Sequence, residues 1–536
     1  RGINMEKSTT LYGALLATCT RYPKRNALIY MKQKITYEEL LHDVNRLAKG
    51  LAEYGVKTDD VVSVCLPNIP SVVHLLYAIN QLGAIANLIH PLMKYEQMKG
   101  IMNETKSKIL FVLDIFFAEF TDLTKFGIRI VACSPVQTLN PLVKTIYSLQ
   151  NRSKIKNIAK SDKILSFYEK EGVFAYDNDF KKDAIYLHSG GTTGKPKVVA
   201  LSSFSINALA SNGLDILGIN DTKDKFMLAV LPVFHGFGLC MGMHACLAFG
   251  ACNTLMPKFH SEQVVKYLKK KQISFIIGVP ILFEALLRNK HFRGPTLKNL
   301  LICFVGGDFV APSLFERFNN RMEKYGSSAR LYEGYGLTEV VTVCSVNNHR
   351  FHKAGTVGKI LPNVDMKVVD LDTKRDMPFG RDGELYVRGE TMMNGYRFLQ
   401  DEKDQPFVRD KDGQVWIATG DYGSLDEDGF VYFRQRLKRI IKVSGINVFP
   451  NEIEGAVMDM GSVHECAAVA IADEKLGNAI KLFVVLDHAA KASNFDDEIK
   501  AVVLKRCGVY AVPKEIVYRD HLPKTLVGKV DTKALS

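Results

Sequence analysis

Apolar and polar positions along this chain alternate between two periods, and the switching predicts an α/β protein. Leu11, Leu15 and Leu16, then Leu40, Leu41, Val44, Leu47, Leu51 and Tyr54, recur at helical spacing over residues 8–60. Thr36 with Glu39 marks the start of the second helix as a capping box. Val61–Leu66 reads as a strand ended by Pro67, Ser71–Leu82 as a helix, and Gly83–Ile89 as a strand, which together make a βαβ unit. Gln97–Lys106 followed by Lys108–Val112 repeats it. Beyond residue 183 the alternation resumes, with strands over Ala184–Leu187, Val198–Leu201, Phe226–Leu231, Ile273–Pro280 and Leu300–Val305. Helices are expected over Ser261–Lys271 and Pro312–Tyr325. Such alternation implies parallel sheets covered on both faces, with ligands beyond the carboxyl ends of the strands.

From about Thr356 the texture changes to short strands between Asp/Gly turns: Met366–Asp370, Gly383–Gly389, Val415–Ile417 and Gly429–Phe433. This is meander or small-barrel patterning over about residues 356–433. A basic connector, Arg434–Arg439, precedes a tail long enough to be an α+β domain of its own. The expected division is 1–437 and 438–536.

Composition narrows the class. A chain of 536 residues with 47% apolar and 24% charged side chains has the make-up of a globular enzyme with several domain-sized units. The net charge of +13 is spread among acids, as over residues 154–182, and no nucleic-acid-binding motif accompanies it. Ten cysteines stand singly without zinc spacing, which suits reduced core residues and a cytoplasmic setting. Val61–Met93 and Phe226–Pro257 lack charged side chains, yet their Pro, Asn and Gly interruptions argue for buried strand-turn-helix segments rather than membrane spans. The opening Arg1–Asn4 reads as a remnant ahead of Met5, and no apolar signal core follows it.

The chemistry concentrates at Ser189-Gly190-Gly191-Thr192-Thr193-Gly194-Lys195-Pro196-Lys197, between two short apolar runs. Small residues, hydroxyls and lysines in one loop suit a polyphosphate, because converging N–H groups bind anions. A P-loop is excluded, since Ser189 stands where its first Gly would be and Pro196 follows Lys195. A plain Gly/Ser/Thr surface turn is the bland alternative.

The loop resembles the phosphate-binding signature of adenylate-forming enzymes: acyl-CoA synthetases, peptide-synthetase adenylation domains and luciferases. Further motifs of that family follow in its order. They are Leu231–Leu239 with His235, Gly306-Gly307-Asp308, Tyr335-Gly336-Leu337-Thr338-Glu339, Gly383-Glu384-Leu385 with Arg388-Gly389 and Gly395-Tyr396, Thr419-Gly420-Asp421, Arg436-x-Lys438 with Lys442-x-x-Gly445, and Leu522–Thr525 with Gly528-Lys529. The match runs from about Thr36 to nearly the end of the chain.

The resemblance implies a large N-terminal domain of two parallel-type sheets plus a small barrel, and a mobile C-terminal domain. It implies an AMP-forming acid–CoA ligase that uses Mg²⁺, ATP and CoA. Thr192, Thr193, Gly194 and Lys197 would surround the β- and γ-phosphates, with Ser189, Gly190 and Gly191 completing the loop. Glu339 would hold Mg²⁺, a hard cation that favours carboxylate oxygen. Thr338 would meet the α-phosphate, and Lys529 would bridge it to the carboxylate. Gly306, Gly307 and Asp308 would receive the adenine and Asp421 and Arg436 the ribose, with Glu333, Gly334, Tyr335 and Gly336 completing the ATP/AMP site. His235, Phe237, Met241, Val279, Phe304 and Gly334 would surround the acid, which an apolar lining makes fatty or aryl. Lys438 would be the hinge that exchanges Lys529 for Lys442, Ser444 and Gly445 before the CoA step.

Departures from the family pattern are Val198 after the Pro-Lys pair, Glu333 for Gln, Arg439 after the hinge, and Asp308 for Ala, where it could reach the adenine amino group. A carrier-loading amino-acid adenylation protein is the alternative, but Phe234–Gly238 offers no acid for an ammonium. A luciferase-like oxygenase and an inactive binding protein are further readings. The expected partners are small molecules, with a homodimer left open and no nucleic acid or transmembrane segment.

Overall fold

Local signals and burial together explain the elements of the computed structural model, which describes residues 5–169, 176–189, 196–486, 495–525 and 529–535. The helix Tyr37–Tyr54 starts with the expected box: the Thr36 hydroxyl accepts from Glu39 N–H, and the Glu39 carboxylate accepts from Thr36 N–H. Gly55, at φ 107°, ends it in the left-handed region that glycine tolerates. All twelve residues of the helix Pro70–Gln81 are buried, as its charge-free sequence demands.

Two large sheets form the bulk of the protein. The first runs in the order Gly395–Arg397, Val198–Ser202, Asp183–His188, Ile85–Leu88, Val61–Cys65, Ile109–Leu113, Arg129–Cys133, and its last five strands are parallel. The second runs Lys359–Ile360, Ser345–Val346, Leu331–Tyr335, Ile302–Val305, Phe275–Gly278, Phe226–Ala229, Cys252–Leu255, Asn26–Tyr30, Gln33–Thr36. Its six central-to-late strands, from Leu331–Tyr335 to Asn26–Tyr30, are parallel. Asn68 ties the sheets together by donating to the carbonyls of Ala229 (2.9 Å) and Leu231 (2.8 Å).

The smaller region is an antiparallel sheet of five strands. The eleven-residue strand Val415–Leu425 pairs along one side with Gly383–Gly389, and on the other with Phe407–Arg409 and then Val431–Arg436. The C-terminal α+β unit packs the helices Pro450–Met458 and Phe495–Cys507 with a three-stranded sheet, Val463–Asp473, Gly477–Leu486 and Glu515–Tyr518, around its own apolar core.

Four features differ from expectation. The stretch 8–60 is not wholly helical: a hairpin, Asn26–Tyr30 with Gln33–Thr36, completes the edge of the second sheet. The strand expected over Val415–Ile417 runs on to Leu425 and carries Thr419-Gly420-Asp421 within it, with Asp421 1% exposed. Half of the basic connector is strand, since Arg434–Arg436 finish Val431–Arg436 and Leu437–Arg439 form a turn. Phe237–His244 is a π-helix, a rare form common at functional sites. All ten cysteines are free, and no helix among the described residues is long and apolar enough to cross a membrane.

Candidate active site

The site assembles where the parallel strands of the second sheet end. Ile302–Val305 delivers Gly306 and Gly307, and its neighbour Leu331–Tyr335 delivers Gly336 to Glu339. Two glycines clasp the intervening loop. A Cβ on Gly236 would lie 1.7 Å from the Val341 carbonyl oxygen, and one on Gly336 would lie 1.6 Å from that of Thr342. Between them Val341, a β-branched residue, is held at φ 69°, ψ −62°. Strain of this kind persists only where surrounding structure over-determines it. It fixes the single turn Thr338–Val340 that carries Thr338 and Glu339.

A polar cluster stands beside this turn. The Tyr335 hydroxyl donates to Asp421 Oδ2 at 2.6 Å, and Arg436 Nε lies 3.0 Å from Oδ1. That pair lacks hydrogen-bond alignment, so the buried Oδ1 is an acceptor with no hydrogen bond among the described residues. Burial raises the Asp421 carboxyl pKa, while Arg436 and Tyr335 act against the rise. The Tyr396 hydroxyl donates to Glu339 Oε1 at 2.6 Å, and Lys197 Nζ sits 4.5 Å from the centre of the Tyr396 ring. The Glu339 carboxylate at this turn suits Mg²⁺, which binds through one or two carboxylates plus substrate phosphates.

Two hydrogen bonds join Ser189 to Lys197: Ser189 N–H donates to Lys197 O at 2.9 Å, and Lys197 N–H to Ser189 Oγ at 3.2 Å. Gly190, Gly191, Thr192, Thr193 and Gly194 lie outside the described residues.

The C-terminal unit covers the same opening. Helix Pro450–Met458 rests on Phe309, whose ring would lie 2.7 Å from a Cβ on Gly455, and Arg288 meets His464 at 2.6 Å. Exposed Asp308 turns its Oδ1 to Phe309 N–H, and its charge acts on Lys524 and Glu454 of the C-terminal unit. The Lys529 charge acts on His235: burial first, then the Lys529 ammonium and His90, push the imidazole down to about 4. The His90 ring lies 4.6 Å from Phe234, which in turn lies 4.9 Å from His235. His90 had no signal in the sequence, lying inside a charge-free run. Lys442, Ser444 and Gly445 are elsewhere, at the exposed tip of the hairpin Ile441–Val443/Ile446–Val448, with Ser444 N–H bonded to Leu476 O.

An apolar cavity of about 940 Å³, counting its open mouth, runs inward from Gly306, Gly334 and Tyr335. The π-helix and the helix Ala245–Ala248 carry its lining from Phe237 through Met241 and Ala245 to Phe249, with Phe304, Leu214 and Leu217 across from them. None of its lining residues is charged. Phe237, Met241, Phe304 and Gly334 are therefore brought together, but Val279 is not among them. At Val279 the chain turns into the helix Pro280–Arg288, and the side chain packs against the core under that helix. Half-buried Glu333 has its carboxyl pushed up to about 8 by burial. Its strand neighbour Gly334 lines the cavity.

A strand-ended nucleotide-type site with a covering C-terminal unit defines the class, and comparison with known proteins agrees. The model of the AMP-binding enzyme family matches residues 15–397, and that of the AMP-binding enzyme C-terminal domain matches 452–529. The chain belongs to the AMP-binding enzymes. It is 30% identical to a long-chain-fatty-acid–CoA ligase of Salmonella typhimurium, over 98% of this chain and 94% of that protein. A long-chain-fatty-acid–CoA ligase of Bacillus subtilis is 29% identical over 97% of this chain and 93% of its own length. In fold it resembles ATP-bound MatB from Rhodopseudomonas palustris, with a TM-score of 0.84 and 21% identity over 99% of this chain and 98% of that one. It also resembles o-succinylbenzoate CoA synthetase of Bacillus subtilis in complex with its acyl-adenylate, with a TM-score of 0.78 and 22% identity over 97% of each chain.

Proposed function

We propose that the protein is an AMP-forming acid–CoA ligase acting on an apolar, long fatty acid. The observation that carries this is the packing of Gly236, next to His235, against the loop that follows the Thr338–Val340 turn, beside an uncharged cavity that reaches Gly306, Gly334 and Tyr335, with the Lys529 charge acting on His235. An acid lying in the cavity presents its carboxylate at that mouth. A carboxylate oxygen attacks the α-phosphorus of ATP, the bond to the β-phosphate bridging oxygen breaks, and pyrophosphate leaves. Negative charge gathers on the α-phosphate in this step, so fixed cations and donors supply the main stabilisation.

Lys529 spans carboxylate and α-phosphate, Thr338 donates to the α-phosphate, and Lys197 with the 189–197 loop takes the leaving pyrophosphate. The open Oδ1 of Asp421 accepts from a ribose hydroxyl beside Arg436. Glu339 would hold Mg²⁺, which would neutralise phosphate charge. His235, neutral down to a pH of about 4, adds no like charge against Lys529. The domain boundary falls at 437/438, and rotation about Lys438 then brings Lys442, Ser444 and Gly445 over the acyl-AMP. The CoA thiolate attacks the acyl carbon and AMP leaves. The free, buried cysteines favour a cytoplasmic setting.

The test is pyrophosphate release over a panel of acids, with and without CoA. Long fatty acids are expected to give both release and thioester. Lys529→Ala is expected to slow acyl-AMP formation by about 100- to 1000-fold, while thioester formation from supplied acyl-AMP is spared. Release driven only by amino acids, with no thioester, would point instead to carrier loading.

A further inference from the structure

The helix Pro141–Gln150 is anchored on one side and bare on the other. Asn140 caps it through Val143 N–H at 3.0 Å, and the Tyr147 hydroxyl bonds Asp114 at 2.5 Å, so Val143 and Tyr147 mark the inner face. Leu142, Ile146 and Leu149, at helical spacing on the opposite face, are 69%, 47% and 67% exposed. Such a stripe of large apolar side chains in water marks an interaction surface.

The charge around it identifies the occupant. From Leu123 to Ser161 the chain contains no Asp or Glu but seven bases: Lys125, Arg129, Lys144, Arg152, Lys154, Lys156 and Lys160. That one segment carries +7 of the protein's net +13. Lys144, Arg152, Lys154 and Lys156 are exposed and pair with no acid among the described residues. An apolar helical stripe flanked by exposed bases matches the interface of an anionic bilayer, where the stripe enters the acyl boundary and the bases meet headgroup phosphates.

We propose that the helix Pro141–Gln150 and the basic segment that follows it dock the protein on an anionic lipid surface. The docking is peripheral, since the helix is too short to span. It is independent of the ligase reading, because binding is measured without turnover.

The experiment is cosedimentation of the full chain with vesicles of phosphatidylcholine containing phosphatidylglycerol, and with vesicles of phosphatidylcholine alone. Binding is expected to the anionic vesicles only and is expected to weaken in high salt. Leu142→Asp combined with Leu149→Asp, and separately Lys154→Glu with Lys156→Glu, are expected to weaken it by about tenfold or more. Turnover of a dissolved acid and the thermal melt are expected to stay at wild-type values in both variants. Absence of binding, equal binding to both vesicles, or wild-type binding by the Leu142/Leu149 variant would overturn the proposal. So would a concentration-dependent dimer that the Leu142/Leu149 variant abolishes, in the absence of vesicle binding.

Discussion

Glu333 and His235 sit a few residues from the same opening, yet burial acts on them with opposite sign. Burial disfavours whichever form is charged, so the carboxyl is pushed up to about 8 and the imidazole down to about 4. For Glu333 the folded value lies above the ordinary 4.5. Its contribution to stability is therefore complete below pH 4.5 and is lost as the pH rises through 8. Glu333→Gln cannot ionise, so in thermal melts it is expected to match wild type near pH 4.5 and to unfold several degrees higher near pH 9. An equal shift at both pH values would show that something other than charge burial distinguishes the two side chains. His188, His235 and His244 have folded values of about 4, 4 and 3, below the ordinary 6.5. Their contribution is intact above pH 6.5 and is lost as the pH falls from there through those values.

Among the elements, the π-helix Phe237–His244 and the helix Ala245–Ala248 do most to set what the cavity accepts. Their lining side chains Phe237, Met241 and Ala245 are four residues apart, and Ala245 is the small one. Ala245→Phe is expected to lower pyrophosphate release with the longest acids of a panel by about tenfold or more, while the shortest acids keep most of theirs. Uniform loss across all lengths would mean that the acyl chain does not pass Ala245. The clasped loop is the second telling element. Gly236→Ala puts a methyl group 1.7 Å from the Val341 carbonyl, a backbone atom that cannot swing aside. It is expected to cost about 1–3 kcal/mol in thermal or denaturant unfolding, and to lower activity because Thr338 and Glu339 ride on that loop.

For the whole molecule, the C-terminal unit is held in the arrangement that presents Lys529, with Lys442, Ser444 and Gly445 on its far, exposed tip. Under the proposed ligase reading, one active site serving two reactions calls for the unit to turn. Lys438, exposed in the single turn Leu437–Arg439, is where one φ/ψ pair could absorb the motion. Lys438→Pro locks φ there. It is expected to leave acyl-AMP formation within about twofold of wild type and to slow thioester formation by about tenfold or more, read as separate half-reactions. Equal slowing of both steps would place the pivot elsewhere.

Legibility followed locality. The capping box at Thr36, the strand-helix-strand alternation and the small-residue loop were readable because each depends on neighbours within a few positions. The motif residues Tyr335, Glu339, Asp421 and Arg436 were nameable as candidates through the family resemblance, which also rests on short local motifs. The hairpin Asn26–Tyr30/Gln33–Thr36 was not, because its strands are stabilised by Cys252–Leu255, far along the chain. His90, the far lining at Leu214, Leu217 and Phe249, and the strained Val341 were likewise silent, since each owes its role to packing partners distant in sequence. The sequence by itself determined which side chains carry charge, hydroxyls and apolar bulk, and in what order. Only the tertiary structure decided that Tyr335 bonds Asp421 across 86 positions, that Tyr396 bonds Glu339 across 57, and that Lys529 lies close enough to act on His235. Those distances are set by how sheets and domains pack, and burial in that packing, absent from any local pattern, sets the protonation of the groups that meet there.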